Sequence, residues 1–184
     1  MREFTVPAAY TVPDGANLTD AVWQHAENHP DSVMFSQRVD GDWRDVTALS
    51  FRDQVAAVAR GLAANGIKPG DRVALMSKTR FEWTLFDYAI WSAGGVTVPI
   101  YETSSAEQVQ WILGDSGAVA VVVETPAHVA TVESVRAGLP DLAKVWELDG
   151  GAVEMLTSAG ADLPDDEIGA RRAGIGPDDA ATII

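Results

Sequence analysis

Along residues 51–62 the apolar positions Phe51, Val55, Val58 and Leu62 recur at i, i+4, i+7 and i+11, the period of a helix that buries one face. Asn65-Gly66 follows, and that pair suits a helix C-terminus, so the helix is expected to stop there. From residue 72 onward short apolar runs alternate with longer helical patterns. The runs RVALMS (72–77), VTVPI (96–100), AVAVVV (118–123) and AKVWEL (143–148) are the expected strands. Between them, RFEWTLFDYAIWSAG (80–94), SSAEQVQWILGDSG (104–117) and TPAHVATVESVRAG (125–138) are the expected helices. The unbroken run 118–123 has the pattern of a parallel strand covered on both faces. The 80–94 helix is apolar on most sides and is expected to be buried. Ser104-x-x-Glu107 reads as a capping box with Gly117 as the stop, and Thr125-Pro126 reads as a cap followed by a first-turn proline. Alternation on this scale implies right-handed βαβ units. The expected fold class is α/β, a mostly parallel sheet with helices on both faces.

The remaining stretches complete the outline. Pro7 and Pro13 mark an extended lead-in, and NLTDAVWQHAENHPDS reads as a helix capped near Asn17 or Thr19 and stopped before Pro30. VMFSQRVDGDWRDVT holds two strand-like runs around Asp40-Gly41, a dipeptide that suits a tight turn, so a small β-hairpin is expected near the start. Residues 150–177, rich in Gly, Ala and Asp, are expected to form a peripheral excursion with one or two short helices. After Gly176-Pro177 and Asp178-Asp179, residues 180–184 read as a buried strand.

Charge narrows the function. Thirteen Lys and Arg stand against 27 Asp and Glu, a formal net charge of −14. A field of that sign repels phosphate backbones, so nucleic acid is not an expected partner. The absence of cysteine excludes disulfides and thiol catalysis and fits a reducing compartment, so the expected localisation is cytoplasmic. The first residues lack the apolar core of a signal peptide. The apolar stretch 81–93 carries Glu82 and Asp87 and falls short of the roughly 20 residues a membrane span needs. Peripheral contact with a membrane stays open.

Three local patterns suggest chemistry and fail on context. Gly114-Asp115-Ser116-Gly117 has the form of a serine-protease nucleophile motif, but it closes a helix in an α/β alternation instead of sitting on a β scaffold. His25 and His29 are spaced as on a zinc-binding helix, yet the glutamate at position 27 is misplaced for that chemistry, so solvated histidines are expected. The acidic run Asp162, Asp165, Asp166 and Glu167 is read as a solvated face. No Gly-rich phosphate-gripping motif occurs, and none of Lys68, Lys78 and Lys144 follows one. No metal ligand is assigned.

Three stretches together resemble the adenylate-forming superfamily, and most closely its long-chain acyl-CoA synthetases. They are GIKPGDRVALMSKTRFEW (66–83), AGGVTVPIYETSSAEQVQWILGDSGA (93–118) and PDDAATII (177–184). The middle one is the most specific, because its Ile100-Tyr101-Glu102-Thr103 is more typical of the fatty-acid branch. The resemblance implies a long-chain fatty acid–CoA ligase that uses ATP and Mg2+ to form acyl-AMP, which CoA then converts to the thioester. It implies that residues 1–184 are an incomplete N-terminal AMP-binding domain, cut before the phosphate-binding loop, with every catalytic and cofactor-binding residue beyond it. The piece alone is then expected to be inactive, to bind no cofactor tightly, and to self-associate through its exposed last strand.

The turn leaving the 96–100 strand lies where α/β sheets place ligands. Within the resemblance, Pro99, Tyr101 and Thr103 form a wall of the substrate site. Pro99 ends the ladder and Tyr101 presents a ring to the cavity, although a packing role for Tyr101 carries more weight from sequence. Trp83, Phe86 and Trp91 are weighed as an acyl tunnel and read as core. Two other functions stay open at this stage: a fatty-acyl-AMP ligase handing its product to a carrier protein, and a non-catalytic α/β binding module.

Overall fold

In a computed structural model that describes residues 4–7, 9–39, 41–164 and 166–184, the alternation becomes a parallel sheet. Strands β3 (Arg72–Met76), β4 (Val96–Ile100), β5 (Ala120–Val123) and β6 (Lys144–Glu147) lie in the order β4-β3-β5-β6, all parallel. The central strands β3 and β5 are buried almost throughout, as unbroken apolar runs require. Their side chains alternate between two cores. Val73, Leu75, Ala120 and Val122 pack on one face with helices α2 (Ala48–Ala64) and α3 (Phe81–Ser92). Ala74, Met76, Val121 and Val123 pack on the other with α4 (Ala106–Ser116) and α5 (Pro126–Val135).

Local signals account for most boundaries. Thr47 caps α2 by accepting from the Ser50 N–H, and Phe51, Val55, Val58 and Leu62 form its buried stripe. The C-cap of α4 is Gly117 at φ 62, a left-handed conformation open to glycine without strain. Thr125 caps α5, and Pro126 opens its first turn. Ahead of these lie α1 (Asp20–Asn28) and the antiparallel hairpin of β1 (Val33–Val39) and β2 (Asp42–Thr47), a separate two-stranded sheet. Gly41 takes φ 91 in its turn, as a two-residue hairpin demands; Asp40 lies outside the described residues. Phe35 of β1 stacks 4.8 Å from Phe51, and this ties the hairpin to α2.

Two expectations change. The capping box belongs to Ser105 and Gln108, one residue later than read from sequence: Ser105 Oγ accepts from Gln108 N–H, and Gln108 Oε1 accepts from Ser105 N–H. Ser104 is occupied elsewhere, because its N–H donates to Tyr101 O at 3.0 Å and closes the turn off β4. Residues 180–184 are not a buried strand. They make one parallel bridge, Thr97↔Thr182, along the open edge of β4, and Ile184 is fully exposed. Pro99 supplies the reason. Its nitrogen faces the same side as that of Thr97, two residues earlier, and carries no hydrogen to continue the ladder. Residues 150–177 hold two short helices, each anchored by buried side chains. Helix α6 (Ala152–Ala159) buries Ala152 and Leu156, and α7 (Glu167–Ala173) buries Ile168.

Glycine makes the seat of α6 possible. Gly61 of α2 lies directly under Leu156, where an added Cβ would overlap the Leu156 carbonyl and fall 2.7 Å from its Cβ. Gly160, just past α6, sits as close to α2, with its own would-be Cβ 2.5 Å from Gly61 N. Helix α7 is pinned by adjacent arginines. Arg171 donates to the Ile67 and Ala93 carbonyls at 2.8 and 3.1 Å. Arg172 lies 3.8 Å from the Trp23 ring centroid and pairs with Asp20 at 2.9 Å.

Candidate functional site

The C-terminal ends of parallel strands carry loops that a sheet cannot cover with its own helices, so ligands collect there. Here that edge comprises the turn 101–105 after β4, Ser77–Arg80 after β3, Glu124 after β5 and Asp149 after β6. Pro99 pairs in register with Leu75 and is half-buried. Tyr101 is 83% exposed and Thr103 is exposed. Tyr101 is therefore no packing residue in this chain: its ring stands free at the strand end, while its carbonyl holds the turn through Ser104 N–H.

The densest chemistry on this edge is an ion network that sequence reading missed. Arg80 binds Glu82 through two bonds, Nε to Oε2 at 2.7 Å and Nη2 to Oε1 at 3.1 Å. Its Nη1 reaches Asp149 Oδ1 at 3.0 Å and Glu124 Oε1 at 3.6 Å. Glu124 is 8% exposed, and its other oxygen accepts the Lys78 N–H at 2.9 Å. The bidentate bond to Glu82 is the main reason the Arg80 guanidinium is held more firmly protonated than usual, with Asp149 adding to it against the opposing effect of burial. One cation thus clasps the ends of β3, β5 and β6. Its donors are committed to carboxylates, which leaves a structural clamp and not a free phosphate ligand. The sequence signals were slight: a charge directly after a buried run at Glu124, and an arginine directly before a helix.

The other candidates resolve by position. Ser116 donates to the Ile112 carbonyl at 2.6 Å inside α4, and Arg72 caps that helix end through the Ser116 and Gly117 carbonyls at 2.8 and 2.7 Å. The protease-like tetrad is a helix terminus. The His25 and His29 rings lie 5.4 Å apart, and His25 Nε2 meets Ser32 Oγ at 2.9 Å. Among the described residues no group of three His, Cys, Asp or Glu is placed to hold a metal ion. Glu167 of the acidic run pairs with Arg171 at 2.7 Å; Asp165 lies outside the described residues. Phe86 is fully buried and Trp83 packs against the same core. Trp91 instead donates from Nε1 to the Ala181 carbonyl at 2.8 Å.

A cavity of about 1130 Å3 opens at the opposite end of the sheet. It is lined by the strand starts at Arg72 and Val96, by Leu18 of the lead-in, and by Trp91, Ile175 and Ala181. In a parallel sheet this is the end that does not carry ligand loops, so its volume does not compete with the edge at Tyr101.

Comparison with known proteins gives this geometry a family. The model of the AMP-binding enzyme family matches residues 22–184. Over 187 aligned positions the chain is 43% identical to the long-chain-fatty-acid–CoA ligase FadD15 of Mycobacterium tuberculosis, an alignment covering 100% of this chain and 31% of that protein. The chain therefore spans about a third of the length of the curated relatives it matches. The solved N-terminal domain of FACL13 from Mycobacterium tuberculosis matches with a TM-score of 0.74 and 25% identity, covering 91% of this chain and 41% of that one. A long-chain-fatty-acid-CoA ligase (FadD1) from Archaeoglobus fulgidus shares the fold at a TM-score of 0.72 and 19% identity, covering 89% and 33%. A parallel sheet in this order, an exposed turn at the end of β4 and a family match over most of the chain agree: the chain belongs to the AMP-binding enzyme family.

Proposed function

We propose that these residues are the N-terminal third of an ATP-dependent long-chain fatty acid–CoA ligase working in the cytoplasm. In that reaction the fatty-acid carboxylate attacks the α-phosphate of ATP, acyl-AMP and pyrophosphate form, and the CoA thiol then displaces AMP. The observation that carries the reading is 43% identity to a ligase of that printed activity across the whole chain. The described residues do not fit ATP, Mg2+ or CoA. They contain no phosphate-cradling loop and no metal-holding group, and Arg80 is already paired with Glu82, Glu124 and Asp149. Those sites belong in this reading to the remaining two-thirds.

What this part contributes is shape and rigidity. Pro99, Tyr101 and Thr103 are the wall it offers to the acyl site, with Tyr101 supplying an exposed ring beside a turn that Ser104 and the Ser105–Gln108 box hold in place. The Arg80 clasp keeps the neighbouring strand ends from splaying. No described helix is long and apolar enough to cross a membrane, and the charge of −14 opposes binding to an anionic surface, which leaves any membrane contact to neutral, peripheral modes. The unpaired outer side of residues 180–184 is where a second copy, or further strand, would add. The test joins residues 1–184 to the remainder of FadD15 and measures acyl-CoA formed from acids of graded length. Long-chain acyl-CoA supports the reading; a folded hybrid that thioesterifies only short or aromatic acids overturns it.

A further inference from the structure

Among the described residues, three hydrogen bonds seat positions 181–184 on β4. Thr97 N–H donates to Ala181 O at 2.9 Å, Ile183 N–H donates to Thr97 O at 3.0 Å, and Trp91 Nε1 donates to Ala181 O at 2.8 Å. Pro99 keeps the ladder from continuing, and a seat of so few bonds holds its segment lightly. Its position is set upstream, at α7.

Burial alone anchors α7 weakly, since it has seven residues and Ile168 is its buried side chain. Its hold is polar. Arg171 fixes it to the sheet through the Ile67 and Ala93 carbonyls, and Arg172 reaches the other way, to the start of α1. Arg172 Nε donates to Thr19 Oγ1 at 2.7 Å and Nη2 to Asp20 Oδ1 at 2.9 Å, with the guanidinium carbon 3.8 Å from the Trp23 ring centroid. The Thr19 hydroxyl passes its one hydrogen to Asn17 Oδ1 at 2.6 Å, and Asn17 Nδ2 donates back to the Arg172 carbonyl at 3.3 Å. Guanidinium, hydroxyl and carboxamide thus close a ring of bonds between residues 17–20 and 172. Thr19 is 1% exposed, and the Arg172 and Asp20 side chains are 14% and 30% exposed. That shielding separates this pair from the surface ion pairs that contribute little.

Between latch and seat the chain has little slack. Ile175 N–H donates to the same Arg172 carbonyl at 3.1 Å. Asp179 Oδ2 then accepts from Gly176 N–H at 2.8 Å, and Asp179 N–H closes the turn on Gly176 O at 3.3 Å. Pro177 fixes a further dihedral inside that turn. Two successive turns therefore carry the position of Arg172 to Ala181.

We propose that the Asn17–Thr19–Asp20–Arg172 latch sets where residues 180–184 meet the β4 edge, with Arg172 as its positioning residue. It thereby aims the backbone that continues toward the nucleotide site. This rests on the reading above, in which that site lies in the remainder of the ligase. Arg172 touches no reacting atom.

Two arms test it. In the 184-residue chain, amide exchange at Thr97 and Ile183 and indole N–H exchange at Trp91 report the seat, while amides of Val73 and Val121 report the sheet. Arg172→Met keeps a long side chain against Trp23 and loses every donor. It is expected to accelerate exchange at the seat about three- to tenfold, the worth of one hydrogen bond, and to leave the sheet amides unchanged. Thr19→Val breaks the same ring and should act in the same direction, with the double variant no worse than Arg172→Met. Arg172→Lys retains a cation beside Asp20 and Trp23 and is expected to recover part of the protection. In the FadD15 hybrid, Arg172→Met is expected to raise the KM for ATP about three- to tenfold with the fatty-acid KM unchanged. Seat exchange equal to the parent's, or acceleration of equal size at Val73 and Val121, overturns the proposal, as does an unchanged KM for ATP in an active hybrid. A parent hybrid without activity would refute the proposed function, and exchange alone would then decide the role of Arg172.

Discussion

Replacing Gly61 with alanine is the sharpest test of how this domain is assembled. In an isolated helix the change would help, by about 1 kcal/mol of propensity. In α2 the new methyl would meet the Leu156 backbone carbonyl and its Cβ, and no rotamer of either residue relieves a contact with backbone. Forcing the extra atom into the seat costs about 1–3 kcal/mol. If α6 lifts away instead, Leu156 and Ala152, both fully buried, lose their cover, a loss of about 2–4 kcal/mol for a leucine-sized core deletion. Because the new atom overlaps backbone and not a mobile side-chain end, the strain lies toward the upper part of its range, and less the propensity gain the net destabilisation is about 1–2 kcal/mol. In a chain of 184 residues that lowers Tm by about 2–8 °C. The control is Gly169→Ala in α7, where an added Cβ meets nothing within 4 Å; it is expected to raise stability by about 0.5–1 kcal/mol. Thermal and urea unfolding of both variants decide the matter. A Gly61→Ala protein as stable as the parent, or a loss of equal size in Gly169→Ala, would refute the close α2–α6 contact.

Two further predictions concern the ligand edge. Ser105→Ala should destabilise the chain by about 1 kcal/mol through loss of the α4 cap, whereas Ser104→Ala should be nearly neutral, measured by urea denaturation. Arg80→Ala leaves Glu124 at 8% exposure without its cation and should cost about 1–3 kcal/mol; a variant as stable as the parent in low salt would remove the clasp from the account.

Much of the fold was legible because its decisive signals are local and redundant. The runs at 72–77 and 118–123 are apolar without a break, which only a doubly covered strand explains. Phe51, Val55, Val58 and Leu62 write the buried stripe of α2 directly. What sequence misjudged was settled by neighbours distant in the chain or by competition between equals. Ser104-x-x-Glu107 and Ser105-x-x-Gln108 are both capping patterns one residue apart, and the turn from Tyr101 consumes the first serine. Gly61 and Gly160 carry no spacing that marks them, although each is where two backbones meet. The Arg80 network joins residues from positions 80, 82, 124 and 149, and no spacing rule connects them. At the candidate wall, sequence favoured a packed Tyr101, but its side chain is largely exposed among the described residues.

As the scaffold part of an adenylating ligase, this chain would leave the nucleotide chemistry to the remainder. Fatty-acid-dependent ATP–pyrophosphate exchange measures it directly, with the 184-residue chain alone compared against the same residues joined to the rest of FadD15. No exchange is expected from the chain alone, and clear exchange from the joined protein. Exchange by the chain alone, or a folded joined protein with none, would contradict it.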